Sequence, residues 1–286
     1  MSPWSGRGRR RQSVNADRAD ASSDRFVHVD GVRLRVRVAG RGSPLLLVMG
    51  VGGNIEMWRP FDRELHGRGI QTISFDAPGT GESGELEHPR RMPWLARMVE
   101  HLLDELGHER VNVLGVSWGG ALVQQLAHQC PGRVRRLVLA ATAAGMPGFG
   151  GVPGRPSALI ALLSPRRYRD PDYLASIAGR IYGGEAASLS AENLAARSGR
   201  PPSSRGYRHQ MWAAQGWTGL PWLRSLEPPT LILAGDDDPL VPVANGHILA
   251  RLIPDARLVV VRGGGHLLLL QQAGAMARLV ADFLAE

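Results

Sequence analysis

The sequence predicts an α/β fold with a mostly parallel central sheet and helices on both of its faces. Six apolar segments of strand length recur along the 286 residues, at positions 45–48, 72–75, 111–116, 134–139, 231–233 and 258–261. Helical patterns separate these segments, and such βα alternation produces a parallel sheet that is buried on both faces. The strand pattern stops between residues 146 and 226, where proline, glycine and arginine are frequent. We therefore expect a core formed by residues 26–145 and 227–286, with residues 146–226 inserted as a helical lid.

An arginine-rich tail precedes the core. Residues 1–25 contain six arginines and three aspartates, and so contribute +3 to the chain's formal net charge of +8. The segment is polar and contains glycine, which predicts a disordered basic tail. It is not followed by the apolar run of an export signal, so we expect no export. A basic tail can bind RNA or an anionic surface. We favour a solvated extension, so the sequence predicts no specific nucleic-acid partner.

The composition is that of an ordinary globular protein. Hydrophobic residues make up 43% of the chain and charged residues 21%, as in typical folded domains. No apolar run approaches the roughly 18–20 residues of a transmembrane helix, so no transmembrane segment is expected. The single cysteine, Cys130, excludes an intrachain disulfide and is compatible with a reducing cytoplasm. The sequence contains no metal-ligand cluster and no nucleotide fingerprint, so we expect neither a metal nor a cofactor.

The first elements of the predicted core are a hairpin and two strands with glycine-rich loops. Residues 26–36 alternate apolar and polar side chains around an Asp-Gly pair, which is the pattern of an antiparallel hairpin. The strand at 45–48 leads into Met-Gly-Val-Gly-Gly-Asn, which lacks the lysine of a phosphate-binding loop. The strand at 72–75 leads into Asp-Ala-Pro-Gly-Thr-Gly-Glu-Ser. There we expect Asp76 to bind backbone amides rather than to act in catalysis.

The most informative motif is Gly-Val-Ser-Trp-Gly at residues 115–119, between a predicted strand and a predicted helix. A short Gly/Ser turn arises by chance, but this flanking pattern is the context of the nucleophile elbow. That turn is strained, and its glycines let neighbouring backbone approach closely. Ser117 would project at a helix N-terminus, where backbone N–H groups favour a developing negative charge. We predict that Ser117 is a nucleophile.

A serine nucleophile needs a base, because a free hydroxyl reacts poorly at neutral pH. In elbow motifs the acid and then the histidine follow the serine along the chain. Two histidines, His247 and His266, lie in the last 40 residues or so of the chain. His247 lies in a helical pattern at 245–252, where we expect an exposed side chain. His266 follows the strand at 258–261 and three glycines, at the strand end where parallel sheets build their sites. We predict that His266 is the base.

The acid is expected after the strand at 230–234, where Asp236, Asp237 and Asp238 are adjacent. The alternative position, in the loop after the strand at 134–140, contains no carboxylate. The aspartate segment fits G-x-x-D-x-x-x-P, which resembles the acid loop of the α/β-hydrolases and selects Asp238. The other two aspartates are expected to cap a turn or to face solvent.

Two backbone N–H donors would complete this site as an oxyanion hole. The amide of Trp118, the residue after the nucleophile, supplies one donor in elbow motifs. We assign the other to the amide of Val51, in the glycine-rich loop at 49–54. Many hydrolases have histidine at the start of this loop, where the chain has Met49. Since the predicted donor is a backbone group, the change of side chain leaves it in place.

These motifs identify the chain as a member of the α/β-hydrolase superfamily, and residues 26–283 resemble the intracellular depolymerases of medium-chain-length poly(3-hydroxyalkanoates). The resemblance rests on segments at 111–121, 139–145, 164–168, 181–184, 216–218 and 233–240. Ser-Pro-Arg-Arg-Tyr at 164–168 and Ile-Tyr-Gly-Gly at 181–184 carry the more specific information, because they lie between the triad motifs. The N-terminal tail and the three glycines before His266 depart from the family's pattern.

The resemblance implies a serine esterase that hydrolyses these polyesters through an acyl-enzyme, in the cytoplasm and at the surface of polyester granules. A small-molecule carboxylesterase of the same fold is the alternative within this class. A non-catalytic, granule-associated binding protein is the alternative from a different class, and the complete triad argues against it. In the lid, Trp212, Trp217 and Trp222 either pack the lid itself or form an apolar surface for acyl side chains.

Overall fold

The computed structural model describes residues 24–184 and 191–286, which contain one eight-stranded sheet flanked by helices. The strands are β1 (Arg25–Val29), β2 (Val32–Ala39), β3 (Ser43–Val48), β4 (Ile70–Phe75), β5 (Val111–Val116), β6 (Val134–Ala140), β7 (Thr230–Gly235) and β8 (Ala256–Val261). Their order across the sheet is β1-β2-β4-β3-β5-β6-β7-β8. β2 pairs antiparallel with β1 and with β4, and the remaining neighbours pair in parallel. The predicted mostly parallel sheet is confirmed.

Helices cover both faces of the sheet. They are α1 (Arg59–His66), α2 (Met92–Glu105), α3 (Trp118–Gln129), α4 (Pro156–Leu162), α5 (Pro171–Tyr182), α6 (Ala191–Gly199), α7 (Ser204–Ala214), α8 (Ala244–Leu252), α9 (Leu268–Gln271) and α10 (Ala273–Ala285). The apolar sides of α2 and α3 contribute to one hydrophobic cluster, and those of α1 and α10 contribute to a second. Because both faces are covered, every residue of β5 and β7 is buried.

The β1–β2 hairpin turns at Asp30 and Gly31, which have φ values of 49° and 80°. Two positive φ values match the type I′ turn that an Asp-Gly pair favours in two-residue hairpins, so this prediction is confirmed. The tail was expected to extend to residue 25, but Arg25 begins β1. Asp24 accepts hydrogen bonds from the side chains of Arg35 and Arg37, at 2.8 and 2.7 Å. Residues 1–23 of the predicted tail lie outside the described residues.

Asp76 is a buried carboxylate that ties two loops together. It accepts hydrogen bonds from the amides of Ile55 and Glu82, at 2.8 and 3.0 Å, and from Arg35 Nη1 at 3.1 Å. Burial raises the pKa of Asp76 to about 6, against the lowering effect of these donors. The expectation that Asp76 binds backbone amides is met, and the loops after β3 and β4 are thereby held against each other.

Helices α4 to α7 lie between β6 and β7 in the sequence, and we call this segment the insertion. It contacts the loop after β3, because Asn54 Nδ2 donates to the carbonyls of Ala196 and Arg200, at 2.8 and 3.0 Å. It also contacts the start of α3, where Trp118 Nε1 donates to the carbonyl of Gln210 at 2.8 Å. Within the two described segments, no helix combines the length and the apolar character needed to cross a membrane.

Candidate active site

Ser117 occupies a sharp turn between β5 and α3. Its φ and ψ of 55° and −118° belong to a region that side-chain-bearing residues rarely adopt, at a cost on the order of 1–3 kcal/mol. Glycines make the turn sterically possible. A Cβ on Gly115 would lie 2.4 Å from the carbonyl oxygen of Gly119, and one on Gly119 would lie 2.2 Å from that of Val48. Thr142 Oγ1 donates to the Ser117 carbonyl at 2.8 Å, which further holds the strained residue in place.

The structure brings Ser117, His266 and Asp238 together in one hydrogen-bonded line. His266 Nε2 lies 3.0 Å from Ser117 Oγ, and His266 Nδ1 lies 2.8 Å from Asp238 Oδ2. Both Asp238 and His266 are 6% exposed. The second carboxylate oxygen, Asp238 Oδ1, accepts the amides of Leu240 and Val241, each at 2.9 Å. The carboxylate is therefore fixed at one end and faces the imidazole at the other.

The two aspartates before Asp238 have other partners. Asp236 Oδ1 accepts the amide of Gly263 at 2.7 Å, and Asp237 Oδ2 accepts the amide of Gly184 at 2.7 Å. Each thus stabilises a loop next to the site, as their expected capping role requires. His247 lies exposed on α8, also as expected.

The three glycines before His266 allow the histidine loop to pack tightly against the end of α5. The amide of His266 donates to the carbonyl of Tyr182 at 2.6 Å. A Cβ on Gly265 would lie 2.2 Å from that same carbonyl oxygen, and one on Gly235 would lie 2.1 Å from the carbonyl oxygen of Gly264. The glycine run therefore sets the position of His266 against the insertion.

Val51 and Trp118 both line a cavity that contains Ser117. Neither of their amide N–H groups donates to a protein acceptor among the hydrogen bonds of residues 24–184 and 191–286. The loop is held from the insertion, since Tyr168 Oη donates to the Val51 carbonyl at 2.7 Å and Gln210 Oε1 accepts the amide of Gly52 at 2.8 Å. Two unoccupied donors beside a serine are able to bind a negatively charged oxygen.

An apolar cavity of about 130 Å³ opens from Ser117. The insertion and the core contribute side chains to it, so the cavity exists only where the two meet. Its apolar lining includes Ala121, Met146, Pro147, Val152, Leu159, Leu162, Met211, Trp217, Leu240 and Val241. A cavity with these walls suits a hydrocarbon chain.

Trp212, Trp217 and Trp222 were candidates either for packing the lid or for an acyl surface, and of these three Trp217 alone lines this cavity. Its Nε1 donates to Gln125 Oε1 at 2.9 Å. Trp212 is 45% exposed and lies under the guanidinium of Arg91, which is 4.3 Å from its ring centre. Trp222 stacks on His128 with ring centres 4.4 Å apart. The expectation therefore needs correction for Trp212 and Trp222, because other partners take up their rings.

A second cavity, of about 40 Å³, also contains Ser117 and His266. Arg167 and Arg197 contribute to its wall, together with Tyr168 and Tyr182. Sequence reasoning missed these four residues, since arginine is usually exposed. The available signal was the pair of segments, at 164–168 and 181–184, that carry much of the family resemblance.

Metal-ligand clusters and the cysteine thiol are the other candidate reactive groups in the part of the chain that the structure describes. No group of three or more His, Cys, Asp or Glu side chains is arranged there to hold a metal ion. Burial, with a smaller contribution from Glu100, raises the pKa of the Cys130 thiol to about 12. The thiol is therefore protonated at neutral pH and is a poor nucleophile.

Known proteins share this architecture. A family model described as alpha/beta hydrolase fold matches residues 43–273. A poly(3-hydroxyalkanoate) depolymerase from Ectopseudomonas oleovorans is 44% identical over 271 residues, which cover 92% of each chain. A 2-hydroxy-6-oxo-2,4-heptadienoate hydrolase from Pseudomonas putida is 30% identical over 286 residues, covering 93% of this chain and 98% of the relative.

The solved structures agree on the fold. The enol-lactonase from Burkholderia xenovorans LB400 superposes with a TM-score of 0.78 at 24% identity, covering 92% of this chain and all of that one. The family model matches residues 43–273. The mostly parallel sheet and the strained serine after β5 fit the same fold. The chain belongs to the α/β-hydrolase family.

Proposed function

We propose that the chain is a serine esterase that hydrolyses the ester bonds of medium-chain-length poly(3-hydroxyalkanoates) through an acyl-enzyme. The observation that carries this proposal is the line of hydrogen bonds from Asp238 through His266 to Ser117. The polyester substrate is supported by the 44% identity to a poly(3-hydroxyalkanoate) depolymerase. The apolar cavity beside Ser117 supports an acyl group with a hydrocarbon side chain.

In the proposed mechanism, Ser117 Oγ attacks the ester carbonyl while His266 Nε2 takes up its proton. Asp238 keeps His266 in the required tautomer and stabilises the imidazolium that forms. The oxyanion is bound by the amides of Val51 and Trp118. His266 then returns the proton to the departing alcohol, which leaves Ser117 acylated. Water, deprotonated by His266, attacks the acyl-enzyme and releases the acid.

The apolar cavity would take the hydrocarbon side chain of the acyl group. Each buried methylene contributes about 0.8 kcal/mol, so an octanoyl group gains about 3 kcal/mol more than a butyryl group, before ordering costs. We therefore expect the enzyme to favour medium-length chains over short ones.

The first test is hydrolysis of p-nitrophenyl octanoate by the wild type, Ser117→Ala, His266→Ala and the double variant. Each single substitution should remove most of kcat, and the double variant should lose little more, because the triad acts as a unit. Equal, measurable activity of wild type and Ser117→Ala would contradict the serine mechanism. An inactive, folded wild type would favour the non-catalytic binding protein.

The second test is release of hydroxyacid from isolated polyester granules, with Ser117→Ala as the control. Granule hydrolysis that depends on Ser117 supports the depolymerase. A protein that hydrolyses p-nitrophenyl octanoate but leaves granules intact would be the small-molecule carboxylesterase. The limited volume of the cavity, about 130 Å³, is the observation that favours this second candidate.

A further inference from the structure

Two arginines are buried beside Ser117 without an acidic partner among the described residues. Arg167, in the turn Pro165–Tyr168, is 2% exposed, and Arg197, on α6, is 1% exposed. Neither forms an ion pair with any carboxylate of residues 24–184 or 191–286. Buried charges in proteins are almost always paired, because removing an ion from water is costly. The described residues thus supply no anion for these two guanidinium groups.

Neutral groups fix both side chains but leave donors unused. Arg167 Nη1 donates to the carbonyls of Leu162 and Ser164, at 3.3 and 3.0 Å, and to Tyr207 Oη at 2.9 Å. Arg197 Nη1 donates to Tyr182 Oη at 2.8 Å. The Nε atoms of both arginines are buried and have no acceptor among the described residues. Each guanidinium is thus held in position, while its positive charge has no acidic partner among the described residues.

The ring of Tyr168 is close to both cations. Its centre is 4.6 Å from the guanidinium carbon of Arg167 and 5.6 Å from that of Arg197. The effect of the cations extends to Tyr182. Burial raises the pKa of the Tyr182 hydroxyl, but Arg197 and Arg167 more than offset this, so the net pKa is lowered. The cluster therefore has a positive electrostatic potential that favours an anion.

The space between these residues matches a carboxylate in size. The cavity that Arg167, Arg197, Ser117 and His266 share measures about 40 Å³. A water-sized occupant needs about 10–15 Å³ on this measure, so roughly three heavy atoms fit. Ser117 also lines the larger apolar cavity. The serine hydroxyl therefore stands where an apolar site and a cationic site meet.

We propose that the arginine cavity is a carboxylate subsite and that the preferred substrate is an ester whose alcohol part carries a free carboxylate. This inference rests on the proposed function of Ser117. Guanidinium groups are well suited to carboxylates, which they bind by charge-assisted hydrogen bonds. When the alcohol part of the ester is a 3-hydroxyacid, its carboxylate carbon is two bonds from the carbon that bears the scissile oxygen. One site can therefore hold both the carboxylate and the ester.

On a polyester, this geometry selects the carboxyl end of the chain. Ser117 Oγ bonds to the carbonyl of the penultimate unit, and the bond from that carbonyl to the terminal unit's oxygen breaks. His266 gives its proton to that oxygen, so one 3-hydroxyacid leaves with its carboxylate. Water then hydrolyses the acyl-enzyme and creates a new carboxyl end. Cleavage would therefore proceed one unit at a time.

The test compares the ester dimer of 3-hydroxyoctanoate, as the free acid, with its methyl ester at about pH 8, where the acid is ionised. The wild type should show a kcat/KM for the acid about tenfold or more above that for the methyl ester, as a charge-assisted hydrogen bond predicts. Arg167→Gln and Arg197→Gln should reduce this ratio towards one. Arg166→Gln is the matched control, because Arg166 is exposed and pairs with Asp170. It should keep the wild-type ratio.

A second measurement needs no variant. With p-nitrophenyl butyrate as the reporter, 3-hydroxyoctanoate should inhibit the wild type at least about tenfold more strongly than its uncharged amide does. Equal inhibition, or an acid-to-ester ratio near one in an active wild type, would overturn the carboxylate subsite and leave the esterase standing. A wild-type protein that hydrolyses none of these esters would instead refute the proposed function.

Two further comparisons identify the anion that the arginines bind. A preference for the acid in both the dimer and a longer oligomer assigns the subsite to polyester ends. A preference in the dimer alone assigns it to small ester acids. Glu185, three residues after Tyr182, lies outside the described residues. A wild-type ratio near one that rises in Glu185→Gln would assign the arginines to an internal ion pair and overturn the proposal.

Discussion

Asp237 and Asp238 are adjacent carboxylates with different partners, which makes them a matched pair of positions. Asp238 Oδ2 contacts His266, whereas Asp237 Oδ2 accepts the amide of Gly184. We expect Asp238→Asn to lower kcat for p-nitrophenyl octanoate by about a thousandfold or more, because an amide favours the wrong tautomer of the histidine. Asp237→Asn should retain most of kcat. The reverse ranking, measured in folded proteins, would move the acid to Asp237.

Asp62, on α1, is a buried carboxylate whose protonation should set a pH dependence of stability. Burial raises its pKa from 3.8 to about 7, against smaller lowering effects of Thr72 and Arg37. The folded state therefore holds a proton that the unfolded state releases, so wild-type stability should fall as the pH rises from about 4 to about 7. Asp62→Asn removes this loss.

The measurement for Asp62 is the free energy of unfolding of wild type and Asp62→Asn across that pH range. The variant should gain up to a few kcal/mol relative to wild type as the pH rises to about 7, and nothing further above it. The exposed Glu87 provides the control Glu87→Gln, which should show no such trend. A pH-independent difference between Asp62→Asn and wild type would mean that Asp62 is ionised in the folded protein.

At the scale of elements, the serine turn depends on the close approach of β3 and α3. A Cβ on Gly119 would lie 2.2 Å from the carbonyl oxygen of Val48, whereas one on Gly132 would meet nothing within 4 Å. We expect Gly119→Ala to lower stability by about 1–3 kcal/mol, as overpacking does, and to remove most activity by displacing Ser117. Gly132→Ala should be close to wild type in Tm and kcat. A Gly119→Ala protein with normal kcat would show that the turn tolerates separation of β3 from α3.

The sequence predicted the core elements and the helical insertion between β6 and β7, but not the partners of the insertion's side chains, for a physical reason. Strands such as β5 and β7 are buried along their whole length, so they are visible as apolar runs. The partners of side chains in the insertion are distant in sequence. Trp212 was expected to line an acyl site, but Arg91, 121 residues away, covers its ring. The burial of Arg167 was not predicted, because one of the rings that cover it, that of Tyr207, is 40 residues away in the sequence.

At the scale of the whole molecule, the candidate site belongs to the contact between the insertion and the core. The core supplies Ser117, Asp238 and His266, while the insertion holds the Val51 loop through Tyr168 and encloses both cavities. The carbonyl of Tyr182 also accepts the amide of His266. Substrate choice and the position of the reacting groups are therefore coupled, so a change in the insertion can alter both.

Trp217 allows this coupling to be measured, because it is a side chain of the insertion that is 8% exposed and lines the apolar cavity. We expect Trp217→Ala to lower kcat/KM for p-nitrophenyl octanoate about tenfold more than for the butyrate, since the longer chain has about 3 kcal/mol more to gain from an intact apolar wall. Trp212→Ala is the matched control, and its octanoate-to-butyrate ratio should equal that of the wild type because its ring lies on the surface. Equal losses on both esters in Trp217→Ala would mean that the tryptophan supports the insertion without contacting the acyl chain. The preference for medium-length chains would then have no structural basis in this wall of the cavity.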